Sequence, residues 1–373
     1  MKILFLSNFY NHHQSSVSKE LYQQTNGRYR FVATEAMPED RKKLGYADVR
    51  DEFVVQYGES EDQDRQIRQW IDEADAVIVG SAPEHLIENR KKQRKLILRY
   101  SERPLKNGFQ WWKYPLQYFA WHRRNPSNVP IYMLCASAYT AQDYAKYGLF
   151  QNRTLKWGYF PRCITYECFA EMIAQKDVAE ILWCGRFLDW KHPDDAVAVA
   201  ARLKKENYRF HLTVVGTGEM EGQLKKMVAE HGLENEVTFT GSVSSEKVRS
   251  FMERVGIFLM TSDRKEGWGA VLNEAMNSGC AVVASRDAGA VPYLVQDDVN
   301  GMIYNKCSVD ALYKKTAFLL DHPEEQKRLG LAAYETITGM WNAGESARRL
   351  VRIVDQLRNG SGELFQEGPC SKA

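Results

Sequence analysis

The sequence predicts two doubly wound α/β domains. Three observations carry this expectation. Short apolar runs recur through the 373 residues, helical stretches separate them, and the second half repeats the pattern more cleanly than the first. Such alternation implies right-handed βαβ units and parallel sheets with helices on both faces.

Lys2–Ser7 (KILFLS) is mostly apolar, as a strand buried on both faces requires. Tyr29–Thr34 reads as a second strand and Phe53–Tyr57 as a weaker third. A charged helix, Glu61–Ala74, leads into the strand Ala76–Gly80, and Leu96–Tyr100 and Ile131–Cys135 continue the series. Cys168–Val178 is helical rather than strand-like, which puts the domain boundary near Asp177. Beyond it the strands are Glu180–Cys184, Phe210–Val215, Val237–Thr240, Ile257–Met260 and Cys280–Ala284. Pro193–Glu206, Gly222–His231 and Ser244–Val255 are the helices between them. The expected organisation is one domain over 1–176, a second over 177–344, a helix over 345–358, and a disordered tail over 359–373. In sheets of this kind ligands bind outside the carboxyl ends of the strands, so two such domains place a site in the cleft between them.

Composition excludes several classes. Lys and Arg number 50 and Asp and Glu 48, so a net charge of +2 argues against a globally basic nucleic-acid binder. No window approaches the roughly 20 apolar residues of a membrane span. The N-terminal apolar run is too short for a signal-peptide core. Seven cysteines without a CxxC spacing point to buried thiols in a reducing cytosol, and no metal site is expected. Asp62-Gln-Asp64 opens a charged helix rather than following a strand, in keeping with that.

The most informative stretch runs from Glu266 through Gly267, Trp268 and Gly269 to Glu274 and Gly279. Glu266 sits in a Gly-rich turn after a strand, and Glu274 lies inside the helix that follows. The two glycines let the backbone approach a ligand closely. The first helical residues, Ala270 and Val271, turn free N–H groups and the positive dipole end toward the same point, which suits a phosphate. Glu274 offers a bidentate acceptor for vicinal ribose hydroxyls, and Glu266 can accept from sugar hydroxyls. Upstream, Gly185-Arg186 and Lys191 could hold a diphosphate with fixed positive charge.

On these residues the chain resembles the retaining group 1 glycosyltransferases (family 4 and its relatives), which share the GT-B architecture. Glu266 and Glu274 match the family's Glu-x7-Glu signature, and Gly185-Arg186 with Lys191 its Gly-Arg…Lys element. The resemblance implies hexosyl transfer from a UDP- or GDP-linked sugar to a saccharide or lipid-linked saccharide acceptor, with no separate cofactor. It assigns catalytic roles to Glu266, Arg186 and Lys191. It implies that the turn at Gly216 closes near the nucleotide and that Ser242 and Val243 line the base. The family's glycine-rich acceptor loop is replaced here by a segment containing His12 and His13, which could bind sugar hydroxyls or phosphate; Ser15 or Ser16 could instead cap a helix. Where relatives often carry a His beside the reacting sugar, this chain has Glu102-Arg103, so Glu102 takes the catalytic place and Arg103 an acceptor-side one.

Arg90–Lys95 carries five positive charges in six positions, and residues 109–124 are rich in aromatics and cations. Together they suit peripheral contact with an anionic membrane at its inner face, or a carbohydrate-stacking groove. A solvated helix and ordinary core aromatics are the plainer alternatives. The expected setting is bacterial surface-polysaccharide synthesis. A sugar-nucleotide epimerase or hydrolase on the same fold, or a non-catalytic sugar-nucleotide-binding module, remain as rivals.

Overall fold

The computed structural model describes residues 1–38, 51–305, 308–360 and 363–373. They form two compact units: Met1–Pro161 with Trp341–Ala373, and Arg162–Met340.

The first unit is a parallel sheet of seven strands in the order β3-β2-β1-β4-β5-β6-β7. In chain order these are β1 (Ile3–Ser7), α1 (His12–Gln24), β2 (Tyr29–Ala33), β3 (Val54–Gln56), α2 (Glu61–Glu73), β4 (Ala76–Val79), α3 (Glu88–Lys92) and β5 (Ile97–Ser101). α4 (Tyr114–Arg124), β6 (Ile131–Cys135), α5 (Thr140–Ala145) and β7 (Thr154–Lys156) follow. β1 and β4 lie side by side at the centre and are buried along their whole length, which explains their unbroken apolar runs. β1 feeds β2 on one side and β4 opens the series on the other, so the topological switch lies between β1 and β4.

The second unit repeats the plan with six strands in the order β10-β9-β8-β11-β12-β13. It runs through α6 (Phe169–Ala174), β8 (Asp177–Cys184), α7 (Pro193–Lys205), β9 (His211–Val215), α8 (Glu221–Glu230), β10 (Val237–Gly241), α9 (Ser245–Arg254) and β11 (Val255–Met260). α10 (Ala270–Asn277), β12 (Ala281–Ser285), α11 (Val291–Leu294), β13 (Met302–Tyr304), α12 (Val309–Asp321) and α13 (Pro323–Gly339) complete it. Its switch lies between β8 and β11.

Two expectations about organisation change. The boundary moves from Asp177 to Arg162, because residues 162–166 are bonded into the second unit. The Ile164 N–H donates to Asn277 Oδ1 at 2.8 Å, and the Tyr166 N–H to the Tyr334 hydroxyl at 3.1 Å. The final helix α14 (Ala343–Asn359) belongs to the first unit. Gln24 of α1 donates to the Gly344 carbonyl at 3.0 Å, and Arg358 pairs with Asp75 at 2.8 Å. Nor is the described tail disordered. Residues 370–373 run antiparallel to β7, with bonds from Lys156 N–H to Ser371 O (2.7 Å) and from Cys370 N–H to Lys156 O (2.8 Å), and Cys370 and Ser371 are fully buried.

Among the described residues, no helix is long and apolar enough to cross a membrane.

Candidate active site in the second unit

The loops after β8 and β11 meet at the switch point, and backbone contact fixes the first of them. Gly185 ends β8 with its N–H on the Val215 carbonyl, and the Phe187 N–H donates to Thr217 O at 2.9 Å. Gly216 and Gly218 have φ of +132° and +157°, in the region that side chains avoid. A Cβ on Gly216 would stand 1.9 Å from the Gly185 carbonyl oxygen, and one on Gly218 2.6 Å from that of Phe187. The Gly-x-Gly turn thus exists so that two backbones can touch.

After Gly185 the chain makes a 3-10 turn (Asp189–Lys191) and enters α7 through His192 in a left-handed conformation. The loop after β11 stitches this turn down. Thr261 Oγ1 donates to the Lys191 carbonyl at 2.6 Å, and the Asp263 N–H to the Trp190 carbonyl at 2.9 Å. These bonds hold the Lys191 ammonium against the Glu266 carboxylate as an ion pair, which also accepts from Ser262 Oγ at 3.1 Å. Both charges are mostly buried, with side-chain exposures of 16% and 10%. Two residues 75 positions apart therefore meet.

Gly269 (φ +94°) turns the chain into α10. Among the described residues, the N–H groups of Ala270 and Val271 have no backbone acceptor. Glu274 lies on the first turns of the same helix, half-buried. Among the described residues its carboxylate accepts no hydrogen bond. Burial pushes its pKa up, against a smaller opposing pull from Arg249. Burial also pushes the Cys184 thiol up to about 12, helped by the nearby Glu274 charge and opposed by Lys191. The end of β8, the Lys191–Glu266 pair and α10 thus surround one spot. Its chemistry is two carboxylates, a cation and open helix N–H groups around closely packed glycines.

Other candidates fall differently. Arg186 is exposed and makes no ion pair among the described residues. Gly267 is buried in the turn, where the Gly289 N–H bonds the Glu266 carbonyl at 3.2 Å. Trp268 is fully buried, and its indole N–H is held by Asn273 Oδ1 at 2.8 Å, so its side chain is a core anchor. Ser242 is exposed and Val243 half-buried on the loop after β10. His192, Asp194 and Asp195 bring ligand atoms within 4.8 Å of one another at the start of α7. Acidic residues at a helix N-terminus are ordinary without a metal. Thr261, Ser262 and Asp263 were not singled out in the sequence. The available signal was a polar triplet directly after a buried strand.

In the first unit, α1 starts at His12 and is capped by Asn11, whose Oδ1 accepts from the His13 N–H at 2.9 Å. Neither Ser15 nor Ser16 is the cap. The His13 ring stacks on Tyr159 at 5.2 Å, and burial lowers the His12 pKa. Glu102 accepts from the Tyr159 hydroxyl at 2.6 Å and pairs with Lys106. Arg103 makes both its side-chain hydrogen bonds to the fully buried Asp143, at 3.1 Å each. A polar cavity of about 410 Å³ lies at the carboxyl ends of β4 and β5, lined by Gly80, Glu84, Arg99, Tyr100 and Arg124 among others.

Residues 169–336 match the family model described as glycosyl transferases group 1. That segment belongs to this family. The chain is 28% identical over 182 residues to an amylovoran biosynthesis glycosyltransferase, AmsK, of Erwinia amylovora, covering 48% of this chain and 44% of that protein. It is 27% identical over 180 residues to a GDP-mannose-dependent phosphatidylinositol monomannoside mannosyltransferase of Mycobacterium tuberculosis, covering 47% and 46%. The chain thus spans about half the length of the curated relatives it matches. HepE of Anabaena, solved in complex with UDP, shares the fold with a TM-score of 0.70 at 15% identity, over 95% of this chain and 100% of that one. A glycosyltransferase of Rickettsia africae superposes with a TM-score of 0.68 at 16% identity, over 96% and 99%. The architecture is GT-B, as the sequence suggested.

Proposed function

We propose that the chain is a retaining glycosyltransferase that moves a hexosyl group from a nucleotide sugar to an acceptor hydroxyl. The observation that carries this reading is the half-buried Glu274 carboxylate on α10, which accepts no hydrogen bond among the described residues, beside the Lys191–Glu266 pair inside the group 1 domain. Glu274 accepts the two ribose hydroxyls. The N–H groups opening α10 and the cations of Lys191 and Arg186 receive the diphosphate, whose charge grows as it leaves. Lys191 exchanges part of its contact with Glu266 for phosphate oxygen, which frees Glu266 to accept from the sugar. The bond from the anomeric carbon to the phosphate oxygen breaks. A bond to the acceptor oxygen forms on the same face, and the acceptor proton passes to the departing phosphate. In this scheme Lys191 and Arg186 do the work a metal would otherwise do. On the acceptor side, the polar cavity in the first unit, with His12, His13 and Glu102, supplies hydroxyl-binding groups.

The relatives support a polysaccharide or glycolipid product and leave the base open. One is named for amylovoran biosynthesis and another for dependence on GDP-mannose, while HepE was solved with UDP. The test is calorimetry with UDP and GDP, followed by product analysis with the matching sugar nucleotides. Binding of one base, lost in Glu274→Ala, together with a glycosylated acceptor supports the reading. Sugar-nucleotide turnover without an acceptor product would make the chain an epimerase or hydrolase. Binding without turnover would make it a binding module, and binding of neither base would overturn the donor site.

A further inference from the structure

The first unit leaves five large apolar side chains in water within one short stretch: Phe109, Trp111, Trp112, Leu116 and Phe119, from 46% to 78% exposed. The other exposed large apolar residues described, such as Phe318 and Leu331, stand singly in the sequence. A contiguous patch of this kind marks an interaction surface.

The phase of α4 shows that the exposure is built in. Its inner face, Tyr114, Tyr118 and Trp121, packs on the core of the unit. Gln117 bonds the Tyr147 hydroxyl at 2.5 Å, and His122 the Tyr147 carbonyl at 2.8 Å. The helix is therefore held in one rotation, and Leu116 and Phe119, three apart, occupy the outer face where a surface helix ordinarily carries polar residues.

Charge identifies the occupant. The forty residues from Arg103 to Gln142 contain five Lys and Arg and no Asp or Glu. Arg103 and Lys106 are engaged with Asp143 and Glu102. Among the described residues, Lys113, Arg123 and Arg124 have no carboxylate within 4 Å. Lys113 precedes the apolar outer face and the two arginines follow it, about 16 Å apart along an eleven-residue helix. Cations bracketing exposed Trp, Leu and Phe match the depth profile of an anionic bilayer surface, with phosphates outside and acyl chains beneath.

We propose that this face docks the chain onto an anionic lipid bilayer, with α4 lying in the interfacial plane. The basic run at 90–95, by contrast, is split: Lys92, Arg94 and Lys95 are exposed, whereas Arg90 and Lys91 turn inward. Arg90 is fully buried and donates five hydrogen bonds to carbonyls of residues 71, 74, 75 and 96. Lys91 is buried between Glu84 and Glu88.

The test is flotation of the full chain with vesicles of phosphatidylcholine alone or mixed with phosphatidylglycerol, at low and high salt. The wild type should float with the anionic vesicles, less so at high salt. Leu116→Gln/Phe119→Gln should bind about tenfold more weakly, with an unchanged melting temperature because both side chains already face water. Trp111→Ala/Trp112→Ala gives a second, independent reading of the same loss. Failure of the wild type to float, or wild-type flotation by both double variants, overturns the proposal. So does light scattering that finds a dimer which Leu116→Gln/Phe119→Gln converts to monomer, since the occupant is then a second copy. The vesicles contain no glycolipid and the assay no nucleotide, so its outcome is separate from that of the donor-site reading.

Discussion

Glu274, proposed above to hold the ribose, carries a cost in stability. Burial raises its pKa, so the folded chain holds this proton to a higher pH than the unfolded chain does. The sign follows: the group's contribution to stability is present in acid and is lost as pH rises from the ordinary carboxylate range through the raised value. Glu274→Gln keeps the shape and removes the charge. The variant should melt at a higher temperature than wild type at pH 7 to 8, and the gap should close toward acid. The same variant should bind its nucleotide about 10- to 100-fold more weakly, because an ionised acceptor is lost. Wild-type affinity should also fall as pH drops through the raised value, and the variant's should not. Calorimetry and thermal melts across pH check both halves; a variant that melts lower at neutral pH contradicts the assigned burial cost. Arg90 shows why single residues are hard to read in sequence. Five positive charges in six positions look like one surface patch. The fold instead turns Arg90 inward to satisfy the carbonyls at the end of α2, and burial pushes its pKa down to about 10.

At the scale of elements, the strands most plainly legible are those buried on both faces, because their apolar runs are continuous, although part-buried strands such as β3 and β10 were legible too. β1, β4, β11 and β12 are of this kind, whereas β8 is buried only over Ile181–Trp183. β7 and β13 span three residues each, too few for any periodicity, and both lie at sheet edges. α4 was read only as an aromatic and basic region, since apolar residues on both its faces hide the helical stripe. At the candidate site the Glu-x7-Glu spacing was visible within one loop and helix. The pairing of Lys191 with Glu266 depends on loops from two strands, and sequence spacing does not report it. The same holds for Gly216, whose Gly-x-Gly context is common, whereas its contact with Gly185 is tertiary. Gly216→Ala should destabilise the second unit by about 2 kcal/mol or more, because both φ and the 1.9 Å approach forbid a Cβ. Gly222→Ala, in α8 with nothing within 4 Å of its new methyl, should be neutral or stabilising by up to about 1 kcal/mol. Denaturant melts of the two variants make the comparison, and equal effects would show that the loop contact is not rigid.

At the scale of the whole chain, the two-domain plan was visible in the alternation of strands and helices, but the path between the units was not. The chain completes the first unit with residues drawn from its far end. Removing residues 363–373 uncovers the edge of β7 and deletes the buried Cys370 and Ser371. Amide exchange in residues 154–156 should accelerate in that truncation, while exchange in the second unit stays as it was. Unchanged protection at β7 would show that the terminal residues add little to the edge.

That return of the chain also orders events during synthesis. As the polypeptide leaves the ribosome, the first unit emerges without α14 and without the segment that pairs with β7. The entire second unit is translated before either arrives. The nascent first unit therefore waits with α1 uncovered and an open strand edge, the state in which sheets pair wrongly with neighbours. The second unit, continuous in sequence, is free to close first. On the function proposed above, the unit that takes the sugar nucleotide matures before the other, so its ligand meets it while the chain is still attached to the ribosome.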